Sequence, residues 1–303
     1  MKLSTLYGLF FIIAIFIIFK YGFKKVEKKV TEFLNYSVYV SKELHNISKN
    51  NDLVINIETD RIIAHAGGSI EGFIYTNSLE ALNSNYKKGI RYFELDIKKT
   101  RDKELVAVHD WQEWNKMTGY NGEIPPTLKD FKSFKIYKKF TPLTLKNIDK
   151  WFSEHPDAIF VTDKIKNVDS LLLDFKNKDR VIMELFSLDE VNKGISRGIN
   201  VMPNWDVFKN FKDDSIYNLI KKLNIKYMVA ENKIIYSKKK LLKRLSNIIK
   251  IYSYGEYKTL DSKKFGSKTE IFTLCYEADF FYGVYVDHLR INQEKIKCNE
   301  FYE

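Results

Sequence analysis

Four short segments of the chain carry side chains that could do acid–base or metal chemistry. Each places a polar residue or pair at the end of an apolar run: His65, Glu94 with Asp96, His109 with Asp110, and Asp163. The histidines titrate near neutrality, so they can exchange protons with a reacting group. The carboxylates offer the oxygen ligands that hard divalent cations prefer. The set predicts one polar site where two histidines and several carboxylates meet.

Glu94 and Asp96 lie two residues apart in the apolar segment FELDI. On a β-strand both side chains point to the same face, and the apolar residues between and around them take the other face. Two buried carboxylates repel each other and cost several kcal/mol unless a positive charge lies between them. A divalent cation is one such charge. The alternative is a pair of salt bridges to lysines such as Lys98 or Lys164.

The elements that must position these residues alternate between short apolar runs and helical stretches. Strands are predicted at 61–65, 90–97, 104–109, 158–163, 180–185, 199–203, 225–230, 248–253 and 283–287. Helices are predicted between most of them, with Ser78 and Ser187 as N-caps. This alternation indicates parallel strands joined by crossover helices, and eight or nine strands over residues 59–290 predict a (β/α)8 TIM barrel. The chain has no GxGxxG or Walker motif that would favour a nucleotide-binding sheet. In such a barrel, catalytic side chains gather at the carboxyl ends of the strands.

The same residues also form an ordered set of family motifs. The phrases IIAHAGG, TNSLEAL and GIRYFELDIKKTRDKELVAVHD resemble the glycerophosphodiester phosphodiesterase family of the phosphatidylinositol-phospholipase-C-like barrel superfamily. The family's motifs run HRG, ENT, ELD and HD, and the matching residues here are His65, Asn77, Glu94, Asp96, His109 and Asp110. The likeness continues more loosely to about residue 290. It implies a TIM barrel and a divergent phosphoric diester hydrolase.

The resemblance implies a role for each matched residue. His65 and His109 would be the acid–base pair, and either can take either role. The ligands of a Mg²⁺ or Ca²⁺ cofactor would be Glu94, Asp96 and Asp163, with the alternative that the strand register puts Lys164 at the third position. Asn77 would lie at the substrate. Trp111, just beyond the second histidine, either stacks on a sugar or acylglycerol group or packs against the rim.

Two departures from the family concern the phosphate group. Ala66 stands where the family has arginine, and Thr76 stands where it has glutamate. Losing both together avoids an orphaned charge. The phosphate is then held differently, by Lys164 or by backbone donors at Gly67 and its neighbour Gly68, where a glycine lets the loop approach closely.

The N-terminus predicts a membrane location. Residues 3–19 carry no charge, which suits a single transmembrane anchor over residues 1–23. The alternative is a cleaved signal peptide, but the small-residue cleavage site that it needs does not follow. Residues 24–58 are predicted to form an amphipathic juxtamembrane helix and linker, and residues 291–303 a C-terminal tail. The lysines after the span favour a cytoplasmic barrel by the positive-inside rule. Single-anchor enzymes that act on surface polymers face outward, so the side of the membrane stays open.

Charge and cysteine content limit the remaining classes of partner and site. The net charge of +11 includes six lysines and one glutamate within residues 1–30, so much of it lies beside the predicted span. No nucleic-acid-binding motif accompanies the rest, and anionic lipid is the simpler partner. Cys275 and Cys298 have no zinc-type spacing. They are expected to be two ordinary thiols, with a disulfide as the alternative.

Two function classes follow. The first is a membrane-anchored, metal-dependent hydrolase of a glycerophosphodiester or of a phosphodiester in a lipid or surface polymer. The second is a catalytically degenerate barrel that binds phosphate-bearing envelope components. The presence of both His65 and His109 favours the enzyme, because a binding module needs no acid–base pair.

Overall fold

A computed structural model describes residues 54–56, 58–165, 167–255, 268–287 and 295–298. The predicted membrane anchor, residues 1–23, and the predicted juxtamembrane helix lie outside the described residues. Within the described ranges, no helix is both long enough and apolar enough to cross a bilayer.

Eight parallel strands form a nearly closed barrel. The strands of the described residues are β1 (Val54–Asn56), β2 (Ile62–Ala64), β3 (Tyr92–Lys99), β4 (Leu105–Ala107), β5 (Ile159–Asp163), β6 (Val181–Leu185), β7 (Asn200–Pro203), β8 (Tyr227–Glu231), β9 (Lys250–Tyr254), β10 (Gly283–Val286) and β11 (Lys295–Lys297). The barrel order is β7, β6, β5, β3, β2, β10, β9, β8. A parallel bridge between Asn204 and Val229 connects the two ends of this order. The predicted TIM barrel is confirmed.

One predicted strand has a different direction from the one expected. β4 pairs antiparallel with β3 and does not join the barrel. Only residues 100–104 separate the two strands, and a parallel return needs a crossover of a dozen or more residues. Thr100 closes the turn, where its backbone N–H donates to the carbonyl of Glu104.

Helices surround the barrel, and they include all of those that the sequence predicts. They are α1 (Leu79–Lys87), α2 (Trp111–Thr118), α3 (Leu128–Ser133), α4 (Leu145–Glu154), α5 (Val168–Asp174), α6 (Leu188–Ser196), α7 (Asp213–Lys222), α8 (Ile235–Leu245) and α9 (Lys268–Tyr276). Both predicted caps are present: Ser78 Oγ accepts from the N–H of Ala81, and Ser187 Oγ accepts from that of Glu190. Each cap satisfies a backbone donor that the first helical turn leaves unpaired.

Alternation along the strands divides the core into two main layers. Side chains such as Ile63 and Val161 fill the barrel interior, whereas Phe93 and Leu95 pack outward against the helices. A third apolar cluster forms where α2 and α3 cover β4, around Trp114. Because Phe93 and Leu95 face outward, the alternating residues Glu94 and Asp96 must point into the barrel.

The two cysteines form a disulfide, so the expectation of two ordinary thiols is wrong. Cys275 lies near the end of α9, and Cys298 follows β11 directly. β11 in turn pairs antiparallel with β1. The sequence alone indicated no strand at either place, since both are three residues long and their partner is distant in the chain.

Candidate active site

Three buried carboxylates converge at the carboxyl ends of β3 and β5. Asp96 and Asp163 are direct neighbours in the parallel register. One oxygen from each of Glu94, Asp96 and Asp163 lies within 4.8 Å of the others. Oxygens that share one cation at about 2.0–2.6 Å lie within roughly 5 Å of each other, so the spacing suits a single cation.

The hydrogen bonds of these carboxylates leave part of each one unused. Among the described residues, Glu94 Oε1, Asp96 Oδ1 and Asp163 Oδ1 are buried and accept no hydrogen bond. A buried acceptor without a partner is costly. Three such oxygens in one cluster fit the donor set of a hard divalent cation, which would satisfy all of them.

Lys164 also contacts the cluster, as the alternative of salt bridges to lysines predicts. Its ammonium donates to Asp163 Oδ2 at 2.6 Å and lies 3.3 Å from Asp96 Oδ1, where the geometry is not that of a hydrogen bond. Lys98 instead lies 3.9 Å from Asp110. One ammonium therefore neutralises part of the cluster but leaves on each carboxylate an oxygen that accepts no hydrogen bond.

The cluster is electrostatically strained. Burial, together with the charges of Asp96 and Asp163, raises the pKa of Glu94 well above its ordinary value. Burial and the charges of Asp96 and Glu184 raise the pKa of Asp163 to about 7, against the opposing effect of Lys164. Burial lowers the pKa of Lys164, but Asp163 and Asp96 outweigh it, so its pKa is raised and the ammonium stays charged. An added cation would favour the ionised form of every carboxyl.

His65 faces the cluster through its Nε2 atom. Its Nδ1 atom shares a 2.7 Å hydrogen bond with Asp287 Oδ1, while Nε2 lies 3.9 Å from Glu94 Oε2. Burial lowers the pKa of His65. The hydrogen bond and charge of Asp287, with the charges of Asp96 and Asp163, raise it by more, so the net pKa lies above the ordinary value. Asp287 thus fixes the ring orientation and leaves Nε2 facing the carboxylate cluster.

His109 lies on the same side of the barrel as His65. Its Nδ1 atom shares a 3.1 Å hydrogen bond with Glu113 Oε2, and Asp110 caps the helix α2 that carries Glu113. The ring of Tyr75 contacts both histidines, with centroid distances of 4.8 Å to His65 and 4.9 Å to His109. The two imidazoles therefore lie no farther apart than those two distances combined. This confirms that both predicted histidines reach one mouth of the barrel.

The loop after β2 holds the carboxylates in place. The N–H of Ala66 donates to Glu94 Oε2 at 2.8 Å. Asn77 makes two hydrogen bonds to Asp96: its Nδ2 donates to Oδ2 at 2.9 Å, and its Oδ1 accepts from the backbone N–H at 3.1 Å. The structure thus places Asn77 as a clamp on a carboxylate. Thr76, at the family's glutamate position, bonds the hydroxyl of Ser78 at 2.9 Å.

Two predicted substrate-binding residues have clear packing roles. Gly67 has φ +82°, which favours glycine, and a Cβ there would point at Ala81, 3.4 Å away, on α1. Trp111 packs edge-on against Trp114 and Phe131, as the packing alternative expected. Direct binding of substrate by Gly67 or Trp111 stays a prediction.

A hydrogen-bond network around Glu184 lies beside His65. Glu184 is buried and accepts from Asn204 Nδ2 at 2.8 Å and from the hydroxyl of Tyr285 at 3.3 Å. Burial raises the pKa of Glu184, and the same two donors oppose that shift. The ring of Tyr285 lies 6.1 Å from that of His65. This network therefore borders the histidine and the carboxylate cluster.

Sequence reasoning missed three residues that contact the histidines. Glu113 lies one helical turn beyond His109, a spacing that could have revealed it once α2 was recognised. Asp287 directly follows β10, but the sequence gives no way to pair it with His65 across 222 residues. Tyr75 gave no signal, because its contacts depend on the path of an irregular loop.

The fold and the mouth together define a TIM barrel with two histidines beside a buried acidic cluster, an arrangement typical of enzymes. The comparison with family models identifies the kind of enzyme. Residues 65–262 match the glycerophosphoryl diester phosphodiesterase family. The chain belongs to that family and is, by that membership, a phosphoric diester hydrolase.

Solved structures with the same fold agree with this assignment. A glycerophosphodiester phosphodiesterase from Thermotoga maritima is 18% identical, with a TM-score of 0.53, covering 80% of this chain and 96% of that one. One from Parabacteroides distasonis is 14% identical, with a TM-score of 0.55, covering 75% and 92%. A phosphodiesterase from Oleispira antarctica, solved with the product sn-glycerol-3-phosphate, is 15% identical, with a TM-score of 0.56, covering 75% and 93%. No curated protein sequence matches the chain.

Proposed function

We propose that this protein is a metal-dependent hydrolase of glycerophosphodiesters or of phosphodiesters in a lipid or surface polymer. The observation that carries the proposal is the cluster of Glu94, Asp96 and Asp163, each with a buried oxygen that accepts no hydrogen bond. His65 and His109 lie at the same mouth. Family membership supports a phosphodiester as the substrate.

Glu94, Asp96 and Asp163 are the residues that would hold a Mg²⁺ or Ca²⁺ ion. When bound, the ion supplies positive charge that offsets the negative charge building on the phosphate oxygens. Asn77 holds Asp96 through two hydrogen bonds, and the N–H of Ala66 holds Glu94. These second contacts keep the ligand oxygens in place, as partners of metal ligands generally do.

The histidines supply the proton transfers. Because Nδ1 of His65 is bonded to Asp287 and Nδ1 of His109 to Glu113, each ring has Nε2 left for the reaction. One Nε2 takes a proton from the attacking hydroxyl, either of water or of a neighbouring hydroxyl of the substrate. The other donates a proton to the departing alcohol oxygen. Either histidine can take either role.

Lys164 is proposed to bind the phosphate in place of the family's arginine. Ala66 occupies the arginine position, is buried, and carries no charge. The ammonium of Lys164 contacts two of the three carboxylates, and its raised pKa keeps it charged. A cation bound by the carboxylates would compete for the same oxygens, which frees Lys164 to turn toward a phosphate.

The test measures metal content and turnover of the detergent-solubilised full chain. We expect one divalent ion per chain and hydrolysis of a glycerophosphodiester that stops in chelator and returns with Mg²⁺ or Ca²⁺. Glu94→Gln should lose both ion and activity, while Glu154→Gln, an exposed carboxylate on α4, should lose neither. Ion binding without turnover of any phosphodiester would favour the degenerate, phosphate-binding barrel.

We also propose that residues 1–23 anchor the protein in the cell membrane, with the barrel on the side away from the cytoplasm. The anchor rests on the uncharged segment 3–19. The side is supported by the Cys275–Cys298 disulfide, since disulfides persist in oxidising compartments and are rare in the cytosol. This argument outweighs the lysine pattern, which counts few charges.

Two measurements test the location. Membranes prepared with a thiol-blocking reagent and mapped without reductant should yield the two cysteines as one linked peptide. Two separately blocked cysteines would contradict an oxidising location. Deleting residues 1–23 should release a soluble chain that still cleaves a small phosphodiester, and a chain that stays with the membrane fraction would contradict the anchor.

A further inference from the structure

The ring of Tyr75 contacts both histidines of the proposed mechanism, His65 and His109. Its ring meets that of His65 nearly edge-on, at 77° between planes, and that of His109 at 59°. It also lines a small recess beside His109, together with Thr76, Glu113, Trp114 and Met117. Edge-on aromatic contacts are directional as well as apolar, so they favour one orientation of the partner ring.

The backbone that carries Tyr75 is held in an unusual conformation. Tyr75 has φ +58° and Asn77 has φ +47°, both in the left-handed region that non-glycine residues rarely adopt. Thr76 between them is buried and bonded to Ser78, and Asn77 is tied to Asp96. Such conformations persist when their surroundings fix them, and they cluster at functional sites. The clamp on the carboxylate cluster therefore also sets where the ring of Tyr75 lies.

Each histidine has one polar contact on the side away from the reaction. A single hydrogen bond at Nδ1 fixes one atom of the imidazole and leaves the ring able to pivot about it. This matters most for His109, because its side chain and that of Glu113 are 34% and 39% exposed. A second contact on the ring would remove that freedom.

We propose that Tyr75 is a positioning residue that holds both imidazoles with Nε2 directed at the phosphate. The inference rests on the proposed two-histidine mechanism and adds a residue that family motifs do not include. The effect comes from the ring and not from the phenol hydroxyl. Misplacing a catalytic group by about 1 Å can cost roughly 100-fold in rate.

The first experiment separates the ring from the hydroxyl. In the detergent-solubilised full chain, Tyr75→Leu and Tyr75→Ala should lower kcat by about 100-fold with little change in KM or thermal midpoint. Tyr75→Phe, which keeps the ring, should retain most of the activity. Tyr217→Ala removes a ring on α7 that packs under Arg244 of α8 and should leave kcat unchanged. A loss in Tyr75→Phe equal to that in Tyr75→Leu would overturn the proposal.

The second experiment asks whether Tyr75 acts through the histidines. In a double-mutant cycle, the loss caused by Tyr75→Leu should be smaller in the His109→Ala chain, and also smaller in the His65→Ala chain, than in the wild type. Losses that multiply independently in both chains would contradict a positioning role. If the histidine variants lose activity but Tyr75→Leu does not, only this inference fails. If the histidine variants keep full activity, the proposed function fails with it.

Discussion

Replacing Asp163 by asparagine should stabilise the metal-free protein at alkaline pH and have little effect at acid pH. The pKa of Asp163 is raised from 3.8 to about 7 by burial and by the charges of Asp96 and Glu184. The folded state therefore holds this proton more tightly than the unfolded state does. Stability is then greatest below the unfolded pKa and falls as pH rises through the folded pKa near 7.

The size of the effect follows from the difference between the ordinary pKa of 3.8 and the folded pKa of about 7. At about 1.4 kcal/mol per pH unit, the ionised carboxylate costs roughly 4 kcal/mol at pH 8, and asparagine removes this cost because it stays neutral. Urea unfolding of the full chain in detergent and chelator, at pH 4, 6 and 8, measures the difference between Asp163→Asn and wild type. Asp179→Asn, which changes an exposed carboxylate, serves as the control.

Adding Mg²⁺ or Ca²⁺ at pH 8 should reverse the order of stability, because the wild type binds the ion and the variant has lost a ligand. The reasoning is refuted if Asp163→Asn is no more stable than wild type at pH 8 in chelator. It is also refuted if the gain is the same at pH 4 and pH 8, since a pH-independent gain would come from packing and not from charge.

Three further changes test other parts of the mouth and the fold. Asp287→Asn should lower the pKa of His65, so the limb of the pH–rate profile that His65 controls should move to lower pH; an unmoved profile would contradict the pairing. Asn77→Ala, which removes both bonds to Asp96, should weaken divalent-ion binding by about 10- to 100-fold in calorimetry, and unchanged affinity would count against the clamp. Cys275→Ser should lower the free energy of unfolding by about 3 kcal/mol, given the 23-residue separation of the cysteines; equal stability with and without the disulfide would disprove its contribution.

The fold was predictable because each barrel strand leaves a local signal. Every predicted strand segment overlaps a strand of the structure, and Ser78 and Ser187 cap helices as expected. The direction of β4 differs from the predicted one, although the five residues before it are too few for a crossover helix and so indicate an antiparallel return. The pairing of β1 with β11 could not be predicted, because two three-residue strands carry too little pattern and their contact spans most of the chain.

The site was predictable in its residue types and less so in its contacts. Alternation in FELDI fixed the inward direction of Glu94 and Asp96, and the parallel register then places Asp163 beside Asp96. Lys164 could not be assigned, because its position depends on a left-handed φ of +60° just after β5. The same limit applies to Tyr75, whose place is set by loop geometry that no periodicity describes.

The central claim is that His65 and His109 carry the proton transfers of phosphodiester hydrolysis. The most direct test is the rate of glycerophosphodiester cleavage by the metal-loaded full chain and by His65→Ala and His109→Ala. Each variant should be slower by about 10²- to 10⁴-fold, with an unchanged thermal midpoint. His155→Ala, which removes a histidine stacked on Trp151 before the start of β5, should cleave at the wild-type rate. Full activity in both His65→Ala and His109→Ala would contradict the account.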